Sequence, residues 1–367
     1  DLSVYKTASV EPFALYRKLT GKKSEDRIAT FVLTEESSTL GHRFATFVRG
    51  NLFIPDARIG WKPFAQQTAN RLLREHDIDL IFSTAPPMST HLIGKTVAKQ
   101  TARPWVADFR DPWTDVFYYH SLKRSKLAVA VDKRLEVSVL KSANGVVTVS
   151  PTLADLFEKK SKTQCHVIPN GYDEEDFQGI PPLPDDGKKH IVHAGHLAVN
   201  QNPTGLWAAL HRLIQSNHLS ESLQLDFYGS IHSDIRQSLD DFGLLDHCTF
   251  HGYIPHNDLV AVMKRAAVLF FVVPNTFYAK GIPTSKLFDY MGAGRPILGI
   301  GPEDGDAAHF LSQSQIGRVI ENEPETIHRF LVSLFKGENA YVTLAQTESF
   351  TRRHLTGQLA ELFAQLV

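Results

Sequence analysis

From residue 78 onward, short apolar runs alternate with longer amphipathic stretches. Ile78–Phe82, Pro104–Phe109, Val146–Val149 and His166–Ile168 read as buried strands. Between them, His91–Thr101, Lys126–Lys141 and Leu153–Lys160 carry apolar residues at helical spacing. Alternation of this kind predicts parallel βαβ units, with helices covering both faces of a sheet. The pattern breaks over 169–189, PNGYDEEDFQGIPPLPDDGKK, which is rich in Pro, Gly and Asp and has little to bury. It reads as a linker. Strands then resume at Ile191–His193, Leu223–Tyr228, Cys248–Gly252, Val268–Val273, Pro296–Ile300 and Arg318–Ile320, separated by helical segments. Six such strands complete a doubly wound sheet.

The first 60 residues are less regular, and only Ala29–Leu33 reads as a strand. A doubly wound sheet starts with a central strand and a glycine turn. Neither precedes this region, so that strand is expected upstream of Asp1. The last segment, from about Ala340, is helical in pattern with no strand after it, so it can close over either domain. The expected organisation is a first Rossmann-like domain over 1–172, a linker over 173–187, a second such domain over 188–345, and a terminal helix over 346–367 packing back on the first domain.

Composition narrows the class. The chain has 367 residues, 43% hydrophobic and 22% charged, which fits two soluble domains and excludes a disordered or collagenous chain. The longest apolar run, Ala266–Val273, is too short to cross a bilayer. Cys165 and Cys248 make no disulfide framework, and nothing resembles a secretory signal, so a reducing cytoplasm is the expected compartment. The net charge of −1 hides an asymmetry: residues 1–170 hold 25 Lys and Arg against 17 Asp and Glu, and the remainder 14 against 23. Clusters at Arg17, Lys18, Lys22 and Lys23, and at Lys123, Arg124 and Lys126, are either solvated surface or an anionic-membrane contact.

In open α/β sheets ligands bind beyond the carboxyl ends of the strands, so the strand-to-helix turns are the places to search. The run Gly281–Leu298, GIPTSKLFDYMGAGRPIL, predicts a helix capped by Thr284 or Ser285, with Leu287, Tyr290 and Met291 on its apolar face and Gly294 at its end. Its first amides and Lys286 suit a phosphate, and Asp289, one turn on, suits a ribose. The strand ending WVADFRDPWTD gathers Asp108, Arg110, Asp111 and Asp115 beside Trp113. Asp111 there is a base, or orients an acceptor hydroxyl, or the Asp and Arg side chains simply brace the loop. The turn Ser83–Thr84–Ala85–Pro86–Pro87 reads as a fixed loop that either is purely structural or, with the following His91 and Trp113, is expected on an acceptor side. At His193–Ala194–Gly195–His196, Gly195 admits a ligand to the backbone and a histidine reaches a phosphate or sugar. GxGxxG, GxxxxGK[ST] and GxSxG are absent, as are metal-ligand spacings and basic–aromatic stripes. No metal, no bound cofactor and no nucleic acid is expected.

Together these motifs resemble the retaining, GT-B-fold glycosyltransferases of family 4, in the bacterial surface-polysaccharide branch. PTSKLFDYMGAGRPIL is similar to the donor-site helix P-x-x-K-L-[FY]-[ED]-Y-x-x-x-G-[KR]-P. VIPNGYD, residues 167–173, is similar to the I-P-N-G-[VY]-D approach to the second domain, and STAPP and WVADFRDPW resemble first-domain motifs. The resemblance, over about 60–365, implies two Rossmann-like domains facing a cleft that closes on a nucleoside diphosphate sugar. It places Asp289 on the ribose, and Lys286 with the Thr284 and Ser285 amides on the diphosphate. Gly252, Tyr253 and Ile254 would frame the base beside Tyr228, and Asp111 would lie near the acceptor. That acceptor is a glycan or lipid-linked hydroxyl, met at the inner membrane face. Two departures stand out: Gly281 replaces the first Glu of E-x7-E, and His196 and Asn202 replace an Arg-x5-Lys pair. A different GT-B enzyme such as a UDP-sugar epimerase, and a non-catalytic nucleotide-sugar-binding subunit, remain alternatives.

Overall fold

The computed structural model describes residues 3–10, 47–116, 119, 124–216, 222–337 and 346–367. The strand expected at Ala29–Leu33 and the Arg17–Lys23 cluster lie outside these residues. The chain forms two compact units, one of Asp1–Val149, Leu153–Ile168 and Leu359–Val367, the other of Ser150–Thr152 and Pro169–Gln358.

The described sheet of the first unit has four parallel strands in the order β1 (Ile81–Ala85), β2 (Trp105–Phe109), β3 (Gly145–Thr148) and β4 (Cys165–Val167). Strand β2 is buried along its whole length, which explains its unbroken apolar reading. Strand β1 starts three residues later than the apolar run implied. Ile81 pairs with Trp105, so Ser83 and Thr84 are strand residues and not part of a turn. Period-two alternation then turns Ser83 inward and Thr84 outward. The core joins Trp105, Phe109 and Val146 to Val139, Leu140 and Phe157 from the flanking helices. At the end of the chain, the Phe363 ring lies 5.4 Å from that of Phe82.

The second unit has six parallel strands: β5 (Lys189–Ala194), β6 (Leu223–Tyr228), β7 (Cys248–Gly252), β8 (Val268–Val272), β9 (Ile297–Ile300) and β10 (Gly317–Ile320). Their order is β10-β9-β8-β5-β6-β7, so strand succession reverses between β5 and β8. Around β8, Leu269, Phe271 and Val273 pack into one core and Val268, Phe270 and Val272 into another. With both faces covered, the sequence has no polar positions to alternate.

The stretch read as a linker does bury side chains. Tyr172 and Phe177 enter the core of the second unit, and the Tyr172 N–H donates to the Phe350 carbonyl at 3.1 Å. A Cβ on Gly292 would stand 2.5 Å from Phe177 and 2.8 Å from Tyr172, so the glycine makes their seat on the helix Ser285–Ala293. Lys264 Nζ holds the segment further by donating to the Phe177 and Ile180 carbonyls. Two aromatics among many polar residues are too sparse for composition to reveal, and specific packing decides the outcome.

Candidate functional site

The reversal between β5 and β8 is the point where an open α/β sheet leaves a crevice beyond its strand ends. Two neighbouring strands finish there on glycines with left-handed backbones, Gly195 (φ 113°) after β5 and Gly229 (φ 115°) after β6. The Gly195 N–H donates to the Tyr228 carbonyl and the Gly229 N–H to the Gly252 carbonyl, each at 2.6 Å. A Cβ on Gly229 would meet the Gly195 oxygen at 2.5 Å, and one on Gly195 would meet Lys286 Cε at the same distance. The glycines thus let Lys286 lie flat across the end of β5. Its Nζ donates to the His196 carbonyl at 3.2 Å.

Lys286 belongs to the helix Ser285–Ala293, whose buried side consists of Leu287, Phe288, Tyr290, Met291 and Ala293. Thr284 precedes the helix at φ 44°, a strained conformation for a β-branched residue. It makes no side-chain cap, contrary to the capping role its sequence position implied. Among the described residues the Ser285 and Lys286 amides have no hydrogen-bond acceptor, leaving two donors at the positive end of the helix. Gly294 closes the helix in the left-handed conformation (φ 64°), as its position predicts. Burial lowers the pKa of Lys286, and Asp289 one turn on opposes that shift. The Asp289 side chain still reaches solvent. Partial burial nevertheless raises its pKa, against the pull of His256 and Arg352.

Two residues that the sequence reading named for other roles hold this point together. The buried Tyr290 hydroxyl accepts the Ala194 N–H at 2.9 Å and donates to the Phe270 carbonyl at 3.2 Å, binding the helix to β5 and β8 at once. His193 is fully buried, and its Nδ1 lies 3.1 Å from the same carbonyl. In the sequence Tyr290 reads as an apolar-face residue, and His193 as part of a strand-end turn whose histidine reaches a phosphate or sugar. Only the sheet order brings their partner to them.

The remaining donor-side residues are spread along the strand ends. The His196 ring bonds the Ser230 hydroxyl at 2.7 Å. Tyr228 is buried and stacks on His251, with centroids 4.2 Å apart. Tyr253 projects into solvent at 93% exposure, whereas Ile254 packs against the core and offers a ligand little surface. Asn202, at the second position of the missing Arg–Lys pair, accepts the Trp207 indole N–H at 2.8 Å.

In the first unit the structure separates residues that the sequence grouped. Asp108 is buried. Its Oδ2 accepts from Thr84 Oγ1 at 2.8 Å and faces Arg110 Nε at 3.7 Å, while its Oδ1 is buried without a partner. Burial raises its pKa, against Arg110 and Thr84. Arg110 and Asp111 reach solvent, as does Pro86. Ser83, His91 and Trp113, expected on an acceptor side, are internal. Ser83 Oγ accepts the Trp105 indole N–H and bonds His91 Nδ1. Trp113 donates to Asp132, which also bonds Tyr119 and Arg124. Their polar atoms serve the core, because a buried donor or acceptor must find a partner inside. Arg124 likewise turns inward and leaves the basic surface cluster to which the sequence assigned it.

Among the described residues no group of three His, Cys, Asp or Glu side chains is placed to hold a metal ion. No described helix is long and apolar enough to cross a membrane.

Comparison with known proteins adds a partial family match and a fold. Residues 25–176 match the model of glycosyltransferase family 4. No curated protein matches by sequence. Sucrose-phosphate synthase from Thermosynechococcus elongatus superposes with a TM-score of 0.57 at 17% identity, over 84% of this chain and 78% of its own. HepE of Anabaena, solved with UDP-glucose, gives 0.59 at 15% identity, over 85% and 83%. A trehalose-phosphate synthase from Burkholderia vietnamiensis gives 0.59 at 11% identity, over 85% and 79%. The fold is GT-B. Its two Rossmann-like sheets account for the four and six parallel strands of the two units.

Proposed function

We propose that this GT-B protein is a glycosyltransferase. It moves a sugar from a nucleoside diphosphate sugar to a hydroxyl of a glycan or lipid-linked acceptor, with retention of configuration and without a metal. The observation that carries this reading is Lys286 laid over Gly195 beside the unbonded Ser285 and Lys286 amides, at the strand-order reversal. Amides and an ammonium fixed in place stabilise the charge that develops on a departing diphosphate, and they need little reorganisation to do so. Asp289 receives the ribose, and Tyr253 lies against the base. Asp111, open to solvent at the end of β2, addresses the acceptor hydroxyl, with Asp108 and Arg110 orienting it. The family 4 match over 25–176 and a structural neighbour bound to UDP-glucose support this assignment.

The acceptor belongs to bacterial surface glycan assembly at the inner membrane face. The excess of Lys and Arg in residues 1–170 supports peripheral contact there, without Arg124. Vesicles with anionic lipid are expected to retain the protein at low salt and release it at high salt, and indifference to such vesicles would remove this part.

Thermal unfolding with UDP, GDP, dTDP, ADP and CDP tests the donor site. A ligand at 100 times its Kd stabilises by about 2.7 kcal/mol, a shift of several degrees. One nucleotide is expected to stabilise the wild type and not Lys286→Ala. No shift with any of the five would overturn the donor assignment. Binding without transfer to any acceptor would leave a nucleotide-sugar-binding subunit, and conversion of free nucleotide sugar without acceptor an epimerase.

A further inference from the structure

The buried histidine of β5 carries an unfilled bond. His193 Nδ1 faces the Phe270 carbonyl, which only accepts, so Nδ1 bears the hydrogen. Burial lowers the pKa of the ring to about 3, so it is neutral and Nε2 offers a lone pair. That atom is buried with no partner. Buried polar atoms without partners are rare in folded proteins and call for an explanation. The surroundings of the ring provide one. Lys286 crosses the end of the same strand, its Cε 2.5 Å from where a Cβ on Gly195 would stand, beside the carbonyl of His196. Lys286 donates to that same carbonyl, and an ammonium has three protons to give. One unfilled acceptor and a cation with spare donors therefore share the end of β5.

Resting on the donor-site reading above, we propose that His193 is the positioning residue of Lys286: its Nε2 accepts an ammonium proton when the lysine turns toward a bound diphosphate. The Phe270 carbonyl fixes the tautomer, the tautomer makes Nε2 an acceptor, and the acceptor directs the lysine. His193 touches no substrate in this scheme. Gly195 supplies the room, because any side chain there would meet the lysine stem.

The test uses UDP and uridine, measured by calorimetry on the whole chain, with ADP and adenosine or GDP and guanosine as replacement pairs if UDP does not bind. His193→Asn keeps an amide donor near the Nδ1 position and removes Nε2, whereas His193→Gln restores an acceptor near Nε2. His193→Asn is expected to weaken UDP about tenfold, the value of one hydrogen bond to a charged group, and to leave uridine unchanged. His193→Gln should recover most of the loss. In the Lys286→Ala background, His193→Asn should change UDP affinity less than about twofold, because the partner is gone. Equal losses for UDP and uridine would make His193 a merely structural residue and overturn the proposal. Unchanged UDP binding in His193→Asn, or the same tenfold loss without Lys286, would overturn it too. If the wild type binds none of the diphosphates, the donor reading falls first and this inference with it.

Discussion

Among the described residues each unit buries one neutral histidine with Nδ1 bonded and Nε2 unfilled, and the two differ in what surrounds them. His91 of the first unit bonds Ser83 and lies against aromatic rings, Phe109 at 4.2 Å and Trp105 at 6.4 Å between centroids. His193 of the second unit lies on the strand whose end Lys286 crosses. The same residue type with the same vacancy is surrounded by core in one place and stands beside the candidate site in the other. Burial and an unfilled nitrogen do not separate the two cases; a nearby mobile charge does. Two buried carboxylates of the first unit extend the contrast, while a third, Asp108, keeps one oxygen unfilled. Asp132 is met by Trp113, Tyr119 and Arg124, and Glu136 by Thr114 and Lys160, so these polar groups are bonded within the fold.

Four experiments sharpen this contrast. The largest effect is expected from Arg124→Ala, which strands the fully buried Asp132 carboxylate. A loss of about 3–5 kcal/mol is anticipated in denaturant unfolding of the first unit, with the nucleotide-induced stabilisation of the second unaltered. Lys286→Ala should leave thermal stability within about 0.5 kcal/mol while lowering diphosphate affinity about tenfold or more, measured by calorimetry.

Acid gives the third. His91 and His193 both have folded pKa values lowered to about 3, below the 6.5 of an unfolded histidine. The unfolded chain therefore binds more protons, so stability is complete above pH 6.5 and falls from there toward pH 3. Each histidine contributes a limiting slope of about 1.4 kcal/mol per pH unit. His190 has the opposite sign. Asp226 and Asp186 raise its pKa, so its contribution is present below 6.5 and declines as the pH rises through the folded value. His91→Phe should flatten the acid slope of the first unit, and an unchanged slope in urea titrations between pH 4 and 6.5 (roughly the window these signs define) would count against the assignment. The smallest effect belongs to Thr284→Gly. Relief of the φ 44° strain, less the entropy of glycine, should stabilise by about 1 kcal/mol, while diphosphate binding weakens because the two amides lose their fixed direction.

Much of this was legible in the chain. Strands buried on both faces, such as β8, announce themselves as unbroken apolar runs. The helix bearing Lys286 is marked by Gly294 and Pro296 at its end. What escaped is long-range in origin. Ser83 and Thr84 lie in β1 because Ile81 pairs with Trp105. Tyr172 and Phe177 are seated by Gly292, more than a hundred positions away. Tyr290 and His193 depend on the Phe270 carbonyl, which the order of strands alone delivers. Backbone strain at Thr284 has no local signature, and its residue type argues against it.

The pairing of β5 with β8 also sets an order of events during synthesis. His193 and the Phe270 carbonyl are 77 positions apart, so one edge of β5 emerges from the ribosome well before its neighbour exists. At about 5–20 residues per second the gap lasts roughly 4–15 s. Throughout that interval an apolar strand has a free edge, the kind of surface on which nascent chains join to one another. The crevice at the strand-order reversal therefore cannot form before β8 has been made, and a chain that stops before Val268 carries β5 with that edge unpaired.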